Sequence, residues 1–156
     1  MACGTKNIPT AVVPAVDSET AALPATPLLC GAERMSEYLP AIKGKRVALV
    51  VNHTSMVGQT HLADTLRALG ISISAIFAPE HGFRGAADAG EKITDGKDPA
   101  TGIPLLSLYG KKRKPSAEDL SNVDWVIFDI QDVGLRHYTY FSTLHYVLEP
   151  CAVNHK

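Results

Sequence analysis

The sequence predicts an α/β fold: a mostly parallel sheet flanked by helices. Two observations predict it. Arg46–Val51 and Val123–Ile130 are short continuous apolar runs rich in Val and Ile, which suit strands covered on both faces. Between them lie segments at helical spacing, and strand alternating with helix leads to a parallel sheet with right-handed crossovers. A chain of 156 residues, 46% hydrophobic and 20% charged, fits one modest domain with enough apolar material for a core.

The elements follow in order. Residues 1–31 read as a linker or mobile arm, because Pro9, Pro14, Pro24 and Pro27 interrupt an Ala- and Thr-rich stretch without a period. The folded part, residues 32–156, opens with a short helical segment at Ala32–Leu39. Arg46–Val51 is the first strand and Asn52–Gly58 a loop. Thr60–Leu69 places Leu62, Thr65, Leu66 and Leu69 on one helical face and stops at Gly70. Ile71–Phe77 is a second strand, and Pro104–Leu108 a shorter third. Ser116, with Asp119 three residues on, has the form of a helix start. Val123–Ile130 is the last strand. Tyr140–Val153 reads as a helix with Leu144, Val147 and Leu148 as its apolar stripe.

Charge and cysteine usage exclude several classes. Fifteen basic and 16 acidic residues leave a net charge of −1, so nothing points to nucleic acid or an anionic membrane surface. Lys111–Lys114 reads as a solvated turn before Pro115. Cys3, Cys30 and Cys151 match neither zinc nor Cys-x-x-Cys spacing. The histidines lack zinc-binding spacing, and no phosphate loop, dinucleotide fingerprint or Gly-x-Ser-x-Gly elbow is present. No metal and no cofactor are therefore expected. No apolar stretch approaches the ~20 residues that span a bilayer. Met1-Ala2-Cys3-Gly4 resembles the tail of a bacterial lipoprotein cleavage site. Acylation at Cys3 would anchor the protein to a membrane and imply export.

Polar clusters follow three of the strands. Asn52-His53-Thr54-Ser55 follows the first. Residues 78–91 follow the second, with Glu80, His81, Arg84, Asp88 and Glu91 set among three glycines. Asp129 to Arg136 ends and follows the last. Parallel strands bring such segments to one rim, where ligands bind in α/β sheets. Glu80 could be a partly desolvated general acid or a loop cap. Asp129 and Asp132 could hold a metal, position a hydroxyl or cap the next turn. Arg84 and Arg136 could clamp a carboxylate or pair internally. Tyr138, Tyr140 and Phe141 could stack on a sugar or fill the core.

These residues also carry a family resemblance. Phe77-Ala-Pro-Glu-His-Gly-Phe-Arg-Gly, Asp88-Ala-Gly-Glu91, Leu108-Tyr-Gly-Lys, Phe128-Asp-Ile-Gln-Asp-Val-Gly, Arg136 and Tyr138-Thr-Tyr occur in that order. Over about Val47 to Glu149 the chain resembles the bacterial exo-β-N-acetylmuramidases of the NamZ type. The resemblance implies a Rossmann-like N-terminal domain whose cleft faces a smaller C-terminal domain. It implies release of N-acetylmuramic acid from the non-reducing ends of peptidoglycan fragments. It makes Glu80 a catalytic residue and assigns a second catalytic glutamate, in the helix after Tyr-Thr-Tyr, to Glu149. Glycosidases usually use two carboxyl groups, one of which protonates the leaving oxygen. Arg84 or Arg136 would clamp the lactyl carboxylate of muramic acid. Asn52, His81, Asp129 and Gln131 would bond hydroxyls or the acetamido group, with Glu91, Asp132 and Tyr138 completing the substrate-binding set.

The chain departs from the family after Glu149. Pro150-Cys-Ala-Val-Asn-His-Lys is unlike the Ala- and Glu-rich continuation of members, and Pro150 is expected to disturb the helix. Members run on into a second domain, so an N-terminal portion with part of the cleft is expected, exposing a sheet edge and an apolar face. Such a portion is not expected to be an efficient enzyme alone. The expected partner is a peptidoglycan-derived saccharide. The expected location is the periplasm or the outer membrane, as a lipoprotein. A non-catalytic sugar-binding module and a metal- or phosphate-dependent hydrolase using Asp129 and Asp132 are the alternatives.

Overall fold

A computed structural model describes residues 28–85 and 95–156. The arm to residue 27, with Cys3, and the segment containing Asp88 and Glu91 lie outside the described residues.

Each apolar run becomes a strand. β1 (Arg46–Val51) is buried from Val47 onward. β4 (Ser72–Ala78) is buried over its second half. β6 (Pro104–Ser107) and β7 (Trp125–Asp129) are shorter. Two-residue strands complete the set: β2 (Met56–Val57), β3 (Thr60–His61) and β5 (Gly96–Lys97). The main sheet has the order β5-β6-β4-β1-β7, and β2 pairs with β3 separately. β1 runs parallel to β4 and to β7, and β4 runs parallel to β6; only β5 is antiparallel.

The helices are α1 (Met35–Ile42), α2 (Leu62–Ala68), α3 (Ala117–Leu120) and α4 (Tyr140–Val153). They divide between the two faces. Val47, Leu49 and Val51 of β1 share a core with Ile76, Ala78, Ile42 of α1 and Leu62 and Leu66 of α2. Ala48 and Val50 share the opposite core with Ala75, Phe77, Leu120 of α3 and Val147 and Cys151 of α4. This is the period-two alternation of a strand buried on both sides. From β1 the chain moves to β4 through α2 on one face. It returns from β6 to β7 through α3 on the other. Two crossovers of the same hand that travel in opposite directions must use opposite faces.

Several boundaries differ from the sequence reading. The helix expected at Ala32–Leu39 is a 3-10 turn at Gly31–Glu33 followed by α1. The loop after β1 contains β2, and Thr60 and His61 pair with it before α2 begins. Pro150 does not break α4, which continues to Val153. Proline removes one amide donor near the helix end. Here its ring is buried, and its carbonyl accepts from the Asn154 backbone N–H at 3.0 Å and from Asn154 Nδ2 at 2.8 Å. The Ser116–Asp119 capping box forms as expected. Among the described residues no strand pairs with the outer edge of β7: Trp125 is 45% exposed, and apolar grooves flank the strand on both faces.

Candidate active site

The parallel register sets the rim. Val51 pairs with Asp129, and Ala78 pairs with Ser107, so the polar segments after β1, β4, β6 and β7 emerge at one end of the sheet. The segments after β1 and β7 are bonded together there. Ser55 Oγ donates to the Asp129 carbonyl, and the Gln131 N–H donates to Thr54 Oγ1 at 3.0 Å. The shared rim follows from topology. Which face each side chain opens on is a separate matter.

Glu80 opens on the α3/α4 face. It lines a cleft of about 310 Å³ with Tyr109 and Arg113 from the loop after β6, and with Thr139, Ser142, Thr143 and Tyr146 from the start of α4. That volume is at the lower end of small-molecule pockets, about 300–1,000 Å³. The Tyr109 phenol sits beside the Glu80 carboxylate. Hydrogen bonding to Glu80 and its negative charge raise the phenol's pKa, and the Arg113 charge opposes them. Thr139, Ser142, Thr143 and Tyr146 are spaced as one helical stripe of hydroxyl groups, and they face the cleft where the α4 N-terminus adds a favourable field for negative charge.

Asp129 does not join Glu80. It shares strand parity with Ile127, which packs on the α1/α2 core, and it lines a groove with Tyr38 and Ala32. Burial raises its pKa, and burial together with the Asp129 charge raises that of Tyr38. Asp132 is exposed, and its Oδ1 accepts from the Gly134 N–H at 2.7 Å, a turn-capping role. The two aspartates of the hydrolase alternative therefore have separate surroundings. Among the described residues, no group of three or more His, Cys, Asp or Glu is arranged to hold a metal ion.

Arg84 is occupied. Its Nε and Nη2 donate to Asp98 at 3.0 Å each, and its Nη1 and Nη2 donate to Asp64 at 3.0 and 3.1 Å. The Asp98 side chain is only 1% exposed. Hydrogen bonds from Arg84 lead the effects that hold its carboxyl down at about 2. The same arginine lowers the Asp64 pKa, and the two acids raise that of Arg84. A guanidinium held by two carboxylates has little left to offer a third, so the clamp role expected for Arg84 is replaced by a structural one.

Glu149 is also diverted. It takes a hydrogen bond from Lys114 Nζ at 3.0 Å, with both side chains more than half exposed, and it does not line the Glu80 cleft. Asn52 is fully buried and holds the turn after β1. Its Oδ1 accepts from the Thr54 N–H and hydroxyl, and its backbone carbonyl accepts from His61. Among the described residues its Nδ2 has no hydrogen-bond partner. Asn52 is thus buried within the turn and shapes the rim. His61 uses both ring nitrogens: Nε2 donates to Asn52 and Nδ1 accepts from the Ala63 N–H at 3.1 Å. Burial lowers its pKa and favours this neutral form.

His81 has φ 68° and is half-buried, and it does not line the Glu80 cleft. Gln131, Arg136 and Tyr138 are exposed on the loop before α4. Tyr138 leans on Tyr140 with ring centroids 6.2 Å apart. Of that aromatic trio Tyr140 is buried, whereas Tyr138 and Phe141 are exposed. The Glu80 cleft also holds residues that the sequence analysis does not single out as site residues. Two signals were available. Tyr109 directly follows a strand read as ending at Leu108, and residues 139, 142, 143 and 146 carry hydroxyls at helical spacing.

Comparison with known proteins decides the family. Residues 47–156 match the family model described as exo-beta-N-acetylmuramidase NamZ, N-terminal. The chain belongs to this NamZ family. It is 43% identical over 124 residues to the peptidoglycan beta-N-acetylmuramidase NamZ of Bacillus subtilis, covering 77% of this chain and 30% of that protein. Two crystal structures of DUF1343 family proteins from Bacteroides fragilis share the fold. One has a TM-score of 0.68 at 43% identity, covering 81% of this chain and 32% of its own. The other has a TM-score of 0.70 at 38% identity, covering 80% and 31%. The chain thus spans under a third of the length of these relatives.

Proposed function

We propose that this chain supplies the N-terminal, Rossmann-like catalytic part of an exo-β-N-acetylmuramidase. The enzyme would release N-acetylmuramic acid from the non-reducing ends of peptidoglycan fragments, with a C-terminal domain facing the cleft. The observation that carries the reading is the Glu80 carboxylate at the sheet rim, opening on a cleft in a chain 43% identical to the Bacillus subtilis enzyme. In this reading the Glu80 carboxyl gives its proton to the glycosidic oxygen as the C1–O bond breaks. Water then adds at C1 and releases a proton. Tyr109 holds the carboxyl by its phenolic O–H, and the α4 hydroxyls bond the sugar.

Export, with acylation at Cys3 and a periplasmic or outer-membrane location, belongs to the same proposal. Labelling of the intact protein with a fatty acid, lost in Cys3→Ala, tests that part. The central test is Glu80→Gln in the intact protein, assayed on a chromogenic N-acetylmuramic acid glycoside. Loss of about 10²- to 10⁴-fold in turnover is expected for a missing general acid, with the circular dichroism spectrum unchanged. Full turnover in that variant would reject the assignment. Binding of the sugar without release by the unmutated protein would favour a sugar-binding module instead.

A further inference from the structure

We propose that Arg113 binds the carboxylate of the anionic sugar, and so makes the Glu80 cleft select a muramic acid over an uncharged hexosamine. The inference rests on the glycosidase reading above. It starts from the run Lys111-Lys112-Arg113-Lys114, whose members are held in different ways. Lys112 Nζ pairs with Asp119 at 2.7 Å, and Lys114 Nζ pairs with Glu149 at 3.0 Å. Arg113 lies between them and lines the cleft that holds Glu80. Among the described residues its one side-chain hydrogen bond is from Nε to the Gly110 carbonyl, at 3.4 Å. That bond is long, and it orients the guanidinium without using either Nη.

Among the described residues that line the cleft, Arg113 is the one cation and Glu80 the one carboxylate. The remaining polar groups are neutral hydroxyls. An uncharged sugar needs only those hydroxyls. A sugar that carries a carboxylate needs a partner for it, and an arginine fork accepts a carboxylate through two parallel hydrogen bonds. Arg84, at the same rim, is already held by Asp64 and Asp98, and Arg136, exposed on the loop before α4, does not line this cleft. Arg113 is thereby assigned selectivity and Glu80 the proton.

The test measures binding, with turnover as a second readout. In intact protein carrying Glu80→Gln, calorimetry compares methyl β-N-acetylmuramide with methyl β-N-acetylglucosaminide, which lacks the lactyl carboxylate. Adding Arg113→Ala should weaken the muramide by about 10- to 100-fold, the range for a hydrogen bond to a charged group. The glucosaminide should be unaffected. Arg113→Lys should restore part of the preference, since it returns the charge without the fork. Equal losses for both sugars, or no loss for either, would overturn the inference while leaving the Glu80 assignment intact. Undiminished turnover by Glu80→Gln alone would instead reject the glycosidase reading. A protein that binds neither sugar would overturn both.

Discussion

Of the arginines at the rim of this sheet, the one after β4 and the one after β6 are held in opposite ways. Arg84 lies over the Phe83 ring at 4.6 Å and is gripped by Asp64 and by the buried Asp98. Asp98 also accepts from the Thr101 N–H and hydroxyl, so this side of the rim is a closed ionic cluster. Among the described residues Arg113 has a single weak bond, to a carbonyl, and it faces a cleft with Glu80. A charge whose partners are all supplied by the fold contributes to stability. A charge that the fold leaves short of partners is available to a ligand. The same residue type thus has two functions, set by what surrounds it.

That contrast can be broken experimentally, beginning where the effect is largest. Asp98→Ala should destabilise the protein by about 3 kcal/mol, the lower end for removing one partner of a buried pair. Urea unfolding would measure it. Asp98 also sets an acid limit. Its folded pKa of about 2 lies below the usual value of 3.8, so the unfolded chain binds more protons in that range. The stability it contributes is complete above about pH 4 and is lost as pH falls toward 2. In Asp98→Ala the pH–stability curve should flatten across that window.

Gly85 links the two loops on the closed side. It has φ +70°, and a Cβ there would lie 2.9 Å from His53 Cβ. Gly85→Ala should cost about 1–3 kcal/mol through backbone strain and that clash. Ser116→Ala removes the α3 cap and should cost about 1 kcal/mol, read as a shift in the urea midpoint. Arg113→Ala should change stability by no more than about 0.5 kcal/mol, as for exposed positions away from packing. A large loss there would mean that Arg113 is structural, and the contrast with Arg84 would disappear.

Much of the fold was legible in the chain. Continuous Val- and Ile-rich runs mark β1 and β7, the Leu62–Leu66 spacing marks α2, and Ser116 with Asp119 marks the start of α3. These signals are local, because burial on two faces needs an unbroken apolar run and one buried helix face needs a period near 3.6. The two-residue strands β2, β3 and β5 were not legible, because pairing across a short ladder leaves almost no pattern in composition. Pro150 misled for a related reason: a proline rule describes the backbone, whereas burial of the ring and the Asn154 bonds come from the fold.

By itself the sequence determined the α/β class, the common rim and Glu80, Asp129 and Asp132 among its acidic candidates, since strand ends and their polar loops are written in order along the chain. Only the tertiary structure decided that Asp129 opens on the opposite face from Glu80, that Arg84 is enclosed by Asp64 and Asp98, and that Arg113 shares the cleft. The partners of Arg84 lie 20 and 14 residues away, and the cleft joins residues from 80 to 146. Which side chains share one space depends on the crossing of helices over the sheet, and no local pattern encodes that.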